Sequence, residues 1–321
     1  MKRILCLLLA LCLLLPLLAA CAPEEEAIRV GVLNGPTAMG AVKMMKDADP
    51  RYEFNLYKTP ADIRADLEAG KLDIAALPTN NAATFYNLGM ELRVIALNTL
   101  GVLHIVDATG TVKSLEDLEG KTVYVPNAGS NPEYILRHIL AEHGVSATVK
   151  TDLTDPSLIQ SALINGTSNE HTVEIAALPQ PAATATVVKA KSQSKTVTTP
   201  IDLSVEWNEV ESTPIAQGCL VATKKLLERQ PDAVKDFLAA YEASVSYMTT
   251  PENLDAAAAL VVEYEILAAA PIAKLALPKC AITYMDGSEM KATLEAFYAI
   301  LHGYNPAAIG GTIPDSDFYY E

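Results

Sequence analysis

The chain is short of positive charge. Lys and Arg total 24 against 39 Asp and Glu, a formal net charge of −15 at pH 7. That balance argues against nucleic acid and an anionic membrane surface as partners, because both would repel the protein. Histidine is sparse. His104, His138, His143, His171 and His302 are scattered, with no HExxH or other metal-ligand spacing, and Glu142-His143 reads as an exposed helix end. There is no G-x-S-x-G nucleophile elbow, no G-x-x-x-x-G-K-[ST] phosphate loop and no G-x-G-x-x-G turn. No metal and no cofactor is therefore expected. Of five cysteines, only Cys219 and Cys280 lie beyond Cys21. A disulfide between them is permitted, and two separate buried thiols are the simpler reading. Trp207 is the sole tryptophan and reads as packing. Acidic pairs such as Glu116/Asp117 and Asp315/Asp317 read as solvated.

Long apolar runs are also missing, with one exception at the start. "MKR" precedes "ILCLLLALCLLLPLLAA", which then meets Cys21. A positive end, an apolar stretch and small residues make a secretory signal. Leu18-Ala19-Ala20-Cys21 resembles the bacterial lipobox, in which the cysteine is lipidated. Pro16 breaks the stretch, which makes a poor membrane span. Residues 1–20 are thus a signal peptide, Cys21 is the lipidation site, and 21–26 form a charged tether. Removing 1–20 from 321 residues leaves 301, enough for about two domains. Without Lys2 and Arg3 the charge moves from −15 to −17.

What is present is a repeat. "IAALP" occurs at Ile74–Pro78 and again at Ile175–Pro179. Upstream, "PADIRADLEAG" and "PSLIQSALING" share Pro60/Pro156, Ile63/Ile159, Leu67/Leu163 and Gly70/Gly166. Each upstream copy reads as a helix, with Thr59 or Asp155 as N-cap, Pro in its first turn and Gly at its end. Each "IAALP" reads as a buried parallel strand stopped by Pro.

The repeat sits in two β-α-β-α-β units. The first uses "IRVGVLN", a helix over "TAMGAVKMM" carrying Met39, Val42 and Met45, and "YEFNLYK", where Tyr52, Phe54 and Leu56 alternate with more polar partners. The second uses "TVYVP", a helix capped by Asn131 and opened by Pro132, and "ATVKTDL". Such units imply an α/β protein with two lobes, each a mostly parallel sheet covered by helices. "LNTLG", with Gly101 easing the turn, reads as one crossing between lobes. "IDLSVEWNEVESTPIAQGCLVAT" reads as the return, a polar turn leading into a strand. Lobe 1 is expected over 27–99 and 215–321, and lobe 2 over 100–214. Residues 224–321 read as largely helical, with Ser288 as one cap.

Ligands bind open parallel sheets beyond the carboxyl ends of the strands. The loops there are "NGPT" (Asn34, Gly35, Pro36, Thr37), "PTNN" (Thr79, Asn80, Asn81), "NAGSN" (Asn127, Gly129, Ser130, Asn131) and "PQP" (Gln180). Thr99 at the first crossing joins them. All are polar or small, none is charged, and each loop precedes a helix start that offers free N–H groups. Asn, Ser, Thr and Gly also serve as ordinary turn and cap residues.

The assembled stretches, including "VGVLNGPTAMG", "IAALPTNNAATFYN", "SLEDLEGKTVYVPNAGSNPEYILRHIL", "IAALPQP" and "AIGGTIPDSDFYY", resemble the substrate-binding lipoproteins of ABC importers. The resemblance is to the nitrate/sulfonate/taurine/thiamine-precursor group. It implies a periplasmic-binding-protein type II fold. It also implies a monomeric receptor on the extracytoplasmic face of a bacterial membrane, tethered through Cys21. Such a receptor traps a small polar or anionic solute and delivers it to an ABC permease. Relatives often carry Glu where "LPQP" has Gln180, so their ligands do not transfer to this chain. Two alternatives remain: a pyrimidine-precursor synthase on the same scaffold, whose CCCFC motif is missing, and a surface sensor.

Overall fold

The computed structural model describes residues 26–168 and 170–320. The signal peptide, Cys21 and most of the tether lie outside the described residues. No helix among the described residues is long and apolar enough to cross a membrane.

The strands are β1 Ile28–Leu33, β2 Tyr52–Tyr57, β3 Ile74–Pro78, β4 Leu92–Thr99, β5 Leu103–Asp107, β6 Thr122–Tyr124, β7 Thr148–Lys150, β8 Thr167–Ser168, β9 His171–Thr172, β10 Ile175–Pro179, β11 Thr198–Asp202, β12 Gly218–Thr223 and β13 Ile282–Met285. The helices are α1 Pro36–Met39, α2 Val42–Asp47, α3 Pro60–Glu68, α4 Thr79–Asn87, α5 Asn131–Glu142, α6 Pro156–Asn165, α7 Ala182–Ser192, α8 Leu203–Val210, α9 Lys224–Arg229, α10 Pro231–Thr249, α11 Leu254–Glu263, α12 Ala270–Ala276 and α13 Gly287–Tyr304.

Two sheets form two lobes. One is six-stranded, in the order β13-β4-β12-β3-β1-β2; the other is five-stranded, β11-β5-β10-β6-β7. The chain passes from β4 to β5 and returns from β11 to β12, so it crosses between the sheets twice. Within each βαβ unit the strands are parallel: β3-β1-β2 in one sheet and β10-β6-β7 in the other. The crossing strands enter antiparallel, β12 against β3 and β5 against β10. Each "IAALP" thus lies between a parallel neighbour and the strand that has just crossed into its lobe. Both copies have Ile, Ala, Ala and Leu buried and Pro half-buried. Burial on both faces explains an uninterrupted apolar run.

The paired helices form as their sequences dictate. The Thr59 hydroxyl accepts from the Asp62 N–H, and the Asp155 carboxylate from that of Ser157. Ile63, Leu67, Ile159 and Leu163 are buried.

Several local expectations change. The helix expected over 37–45 is two helices, broken at Gly40, where an added Cβ would stand 2.4 Å from the Tyr241 hydroxyl. Ser130, not Asn131, precedes α5, so Asn131 and Pro132 occupy its first turn, where a missing N–H costs nothing. Asp286, not Ser288, precedes α13. The return crossing contains α8, because Asp202 accepts from the Ser204 N–H and starts a helix. The helical tail contributes β13 to the larger sheet. Leu56 is exposed because β2 is an edge strand. Asp117 closes a capping box with Ser114, and Asp315 accepts from the Tyr86 hydroxyl and the Asp317 N–H. Neither is simply solvated.

One apolar core runs under both sheets, joining Leu77, Leu97 and Phe297 to Leu103, Ile135 and Trp207. Trp207 is fully buried and donates from Nε1 to the Thr213 carbonyl at 2.7 Å. Its ring lies 5.9 Å from Phe297 and 5.0 Å from His138. Cys219 and Cys280 are free and buried. Burial raises both thiols, that of Cys280 to about 12, so neither is a nucleophile.

Candidate functional site

Parallel pairing brings the candidate loops together two by two. The loops after β1 and β3 open at one edge of the larger sheet, and those after β6 and β10 at the matching edge of the smaller. The crossing segments carry contacts to both pairs.

In the larger sheet most polar groups are already engaged. Asn34 is exposed, and its N–H donates to the Tyr57 carbonyl at 2.8 Å. Gly35 has φ 127°, which other residues avoid. Pro36 opens α1, and the buried Thr37 donates its hydroxyl to the Leu33 carbonyl at 2.9 Å. Thr79 is fully buried, its hydroxyl donating to the Ala216 carbonyl at 2.6 Å and its backbone carbonyl accepting from the Tyr298 hydroxyl at 2.9 Å. Asn80 and Asn81 are half-buried in the first turn of α4. Thr99 is buried and donates to Asn98 Oδ1 at 3.1 Å, while Asn98 Nδ2 donates to the Thr37 carbonyl at 3.2 Å. Gly218 completes this knot. An added Cβ there would stand 2.6 Å from Thr37 Cγ2 and 2.7 Å from Asn98 Oδ1.

The smaller sheet differs. Asn127 is exposed with φ 60°, and Gly129 is exposed. The Gly129 N–H is taken by Glu133 Oε2 at 2.7 Å, and the Ser130 hydroxyl by the Pro126 carbonyl at 3.1 Å. Asn131 is only 3% exposed, yet neither its Oδ1 nor its Nδ2 has a partner among the described residues. Gln180 is 1% exposed. Its Oε1 accepts from the Thr184 N–H at 3.3 Å, and its Nε2 has no partner. The Thr184 hydroxyl is buried and unpartnered too. Buried polar groups are almost always hydrogen-bonded, so unpaired ones beyond the ends of the neighbouring strands β6 and β10 mark where a ligand or water belongs.

Thr184, Asn98 and Gly218 escaped the sequence reading. Thr184 follows Gln180 by one helical turn, which is the one signal that could have found it. His104 of β5 stands opposite Leu178. Burial lowers its imidazole below the ordinary value, against the opposing pull of Asp202 at 3.7 Å.

His143 is not a free helix end. Its Nε2 meets the Glu206 carbonyl at 3.0 Å, and His143, Glu206 and Glu209 offer ligand atoms within 4.8 Å of one another. Burial and the like charges of Glu209 and Glu116 raise the Glu206 carboxyl. This trio lies at the far end of α5 from Asn131, about 18 Å away along the helix.

The sequence profile of the NMT1/THI5-like family matches residues 53–253. The chain belongs to that family. No curated protein matches the sequence. An ABC transporter structure from Parabacteroides distasonis is 23% identical with a TM-score of 0.77, over 92% of this chain and 99% of that one. The periplasmic aliphatic sulphonate binding protein SsuA of Escherichia coli is 16% identical with a TM-score of 0.70, over 93% of each chain. The ligand-binding component of an ABC-type import system from Staphylococcus aureus, with zinc bound, is 15% identical with a TM-score of 0.65, over 92% and 98%. This member of the NMT1/THI5-like family shares the two-lobed type II periplasmic-binding-protein fold of those structures.

Proposed function

We propose that the chain is the extracytoplasmic solute-binding lipoprotein of an ABC importer. It holds a small solute between its lobes and passes it to the permease, anchored by a lipid on Cys21 and acting as a monomer. The observation that carries this reading is the pair of buried amides, Asn131 and Gln180, with atoms left unpaired beyond the ends of the neighbouring strands β6 and β10. Family membership and the fold support it. The candidate loops supply amides and hydroxyls and no acid, base or nucleophile, so binding rather than turnover fits their chemistry. Contacts to both lobes would favour a closed state over an open one by the differential affinity of the ligand.

A thermal-shift screen of the purified protein against metabolite pools tests this. At a hundred times Kd a ligand adds about 2.7 kcal/mol of stability. A protein that stays unshifted across broad pools, and releases no small molecule on denaturation, is not such a receptor.

A further inference from the structure

The geometry points to an uncharged ligand with an amide edge, a carbonyl beside an N–H, as in a lactam, a ureide or a carboxamide. This rests on the solute-binding reading above and narrows it.

Asn131 decides the polarity. Both Oδ1 and Nδ2 are buried and unpaired, so whichever way the amide is turned it presents one acceptor and one donor. A sulfonate or nitrate has acceptors only. It would leave the Asn131 oxygen facing another oxygen without a proton between them. An amide edge answers both atoms at once. Gln180 adds a donor, because its oxygen is already engaged by the Thr184 N–H and only Nε2 is left. The Thr184 hydroxyl can donate or accept.

Charge supports the same choice. The first turn of α5 carries its own anion, since Glu133 is buried, accepting from the Gly129 N–H at 2.7 Å and from Arg137 Nε at 2.8 Å. That carboxylate occupies an N–H that an oxyanion would need and offsets the helix dipole. At α7, Pro181 has no N–H and the Thr184 N–H is closed by Gln180, so its amide donors are partly taken as well. None of the four loops contains Lys or Arg, and Arg137 is held by Glu133. A buried anion without a cation or a full set of donors is strongly disfavoured.

Isothermal titration calorimetry separates the possibilities. One probe set is uracil, hydantoin, 2-pyrrolidinone and nicotinamide; the other is nitrate, methanesulfonate, acetate and inorganic phosphate. In parallel, any compound released by denaturing the freshly purified protein is identified by mass spectrometry. The expected result is saturable binding of an amide probe, or release of an uncharged amide, with no binding of the anions. Asn131→Leu and Asn131→Asp then weaken that amide at least tenfold, while Asn131→Leu, which leaves no polar atom unpaired, retains the folded protein. Saturable binding of an oxyanion without an amide, or release of a compound lacking an amide, overturns the inference and leaves the receptor reading standing. If nothing binds in either set and nothing is released, the amide inference falls, and the receptor reading falls with it when the broad metabolite pools also leave the protein unshifted.

Discussion

The backbone N–H of Gln180 donates to the Val102 carbonyl at 2.8 Å, fastening the end of β10 to the first crossing. The proposed ligand wall of the smaller sheet is therefore tied to the first crossing between the lobes. On the other side the Thr79 N–H donates to the Gln217 carbonyl at 3.2 Å and the Gln217 N–H to the Thr99 carbonyl at 3.0 Å. Both crossings are thereby linked to candidate loops, and disturbing them should be felt at the site.

Gly101 tests that link. An added Cβ would stand 2.4 Å from Ser204 Oγ and 3.0 Å from Ile215 Cδ1, wedging the two crossings apart. Gly101→Ala should cost about 1–3 kcal/mol by overpacking and weaken ligand binding. An unchanged urea midpoint would show that the crossings can separate freely. The sequence reading assigned Gly101 to backbone freedom; its reason is close approach.

Tyr298 positions Thr79 from below. Tyr298→Phe removes one buried hydrogen bond and should cost about 1 kcal/mol, seen as a lower denaturation midpoint with an unchanged slope. A midpoint equal to that of the parent protein would mean that the Thr79 carbonyl finds another donor.

Trp207 is buried beside the return crossing and touches both lobes. Its emission should change when ligand closes the lobes, and titration of that signal should give the same affinity as calorimetry. Trp207→Ala should cost about 3–5 kcal/mol. Emission that ignores a bound ligand would place closure elsewhere.

Asp73 sets an acid limit on stability. Burial alone would raise its carboxyl, but hydrogen bonds from the Arg29 side chain and backbone outweigh burial and hold it below the usual carboxylate range. A depressed folded value means the contribution is complete above the unfolded value of about 3.9 and is lost as pH falls through the folded one. Asp73→Asn should lower stability at neutral pH and flatten the acid limb of the pH–stability curve. A limb as steep as before would move the titration to another group.

Asn81, half-buried in the first turn of α4, and the exposed Asn127 lie in two of the loops proposed to hold the solute. Asn81→Ala and Asn127→Ala should weaken ligand binding with little change in melting temperature. Equal affinity in both variants would remove these loops from the site.

Much of the architecture is legible in the chain because local rules and burial agree. Thr59 and Asp155 cap, Gly70 and Gly166 stop, and "IAALP" can only be buried on both faces. The breaks are less legible. Gly40 looks like a helix interior until Tyr241, two hundred residues away, occupies the space beside it. The candidate loops were readable as positions, since strand ends are where open sheets bind. Their individual roles were not.

The sequence by itself determined the two-fold repeat, the two lobes and the uncharged loops, because helix caps, periodicity and composition are local properties. Only the tertiary structure decided which polar groups are free. Thr37, Thr79, Thr99, Gly129 and Ser130 look as available as Asn131 and Gln180 in the sequence, yet their hydrogen bonds close on neighbouring carbonyls and a carboxylate or, for Thr79, on the carbonyl of Ala216 far along the chain. Whether a donor is left over depends on every neighbour packed against it, and that is settled when the crossings and helices meet around the site.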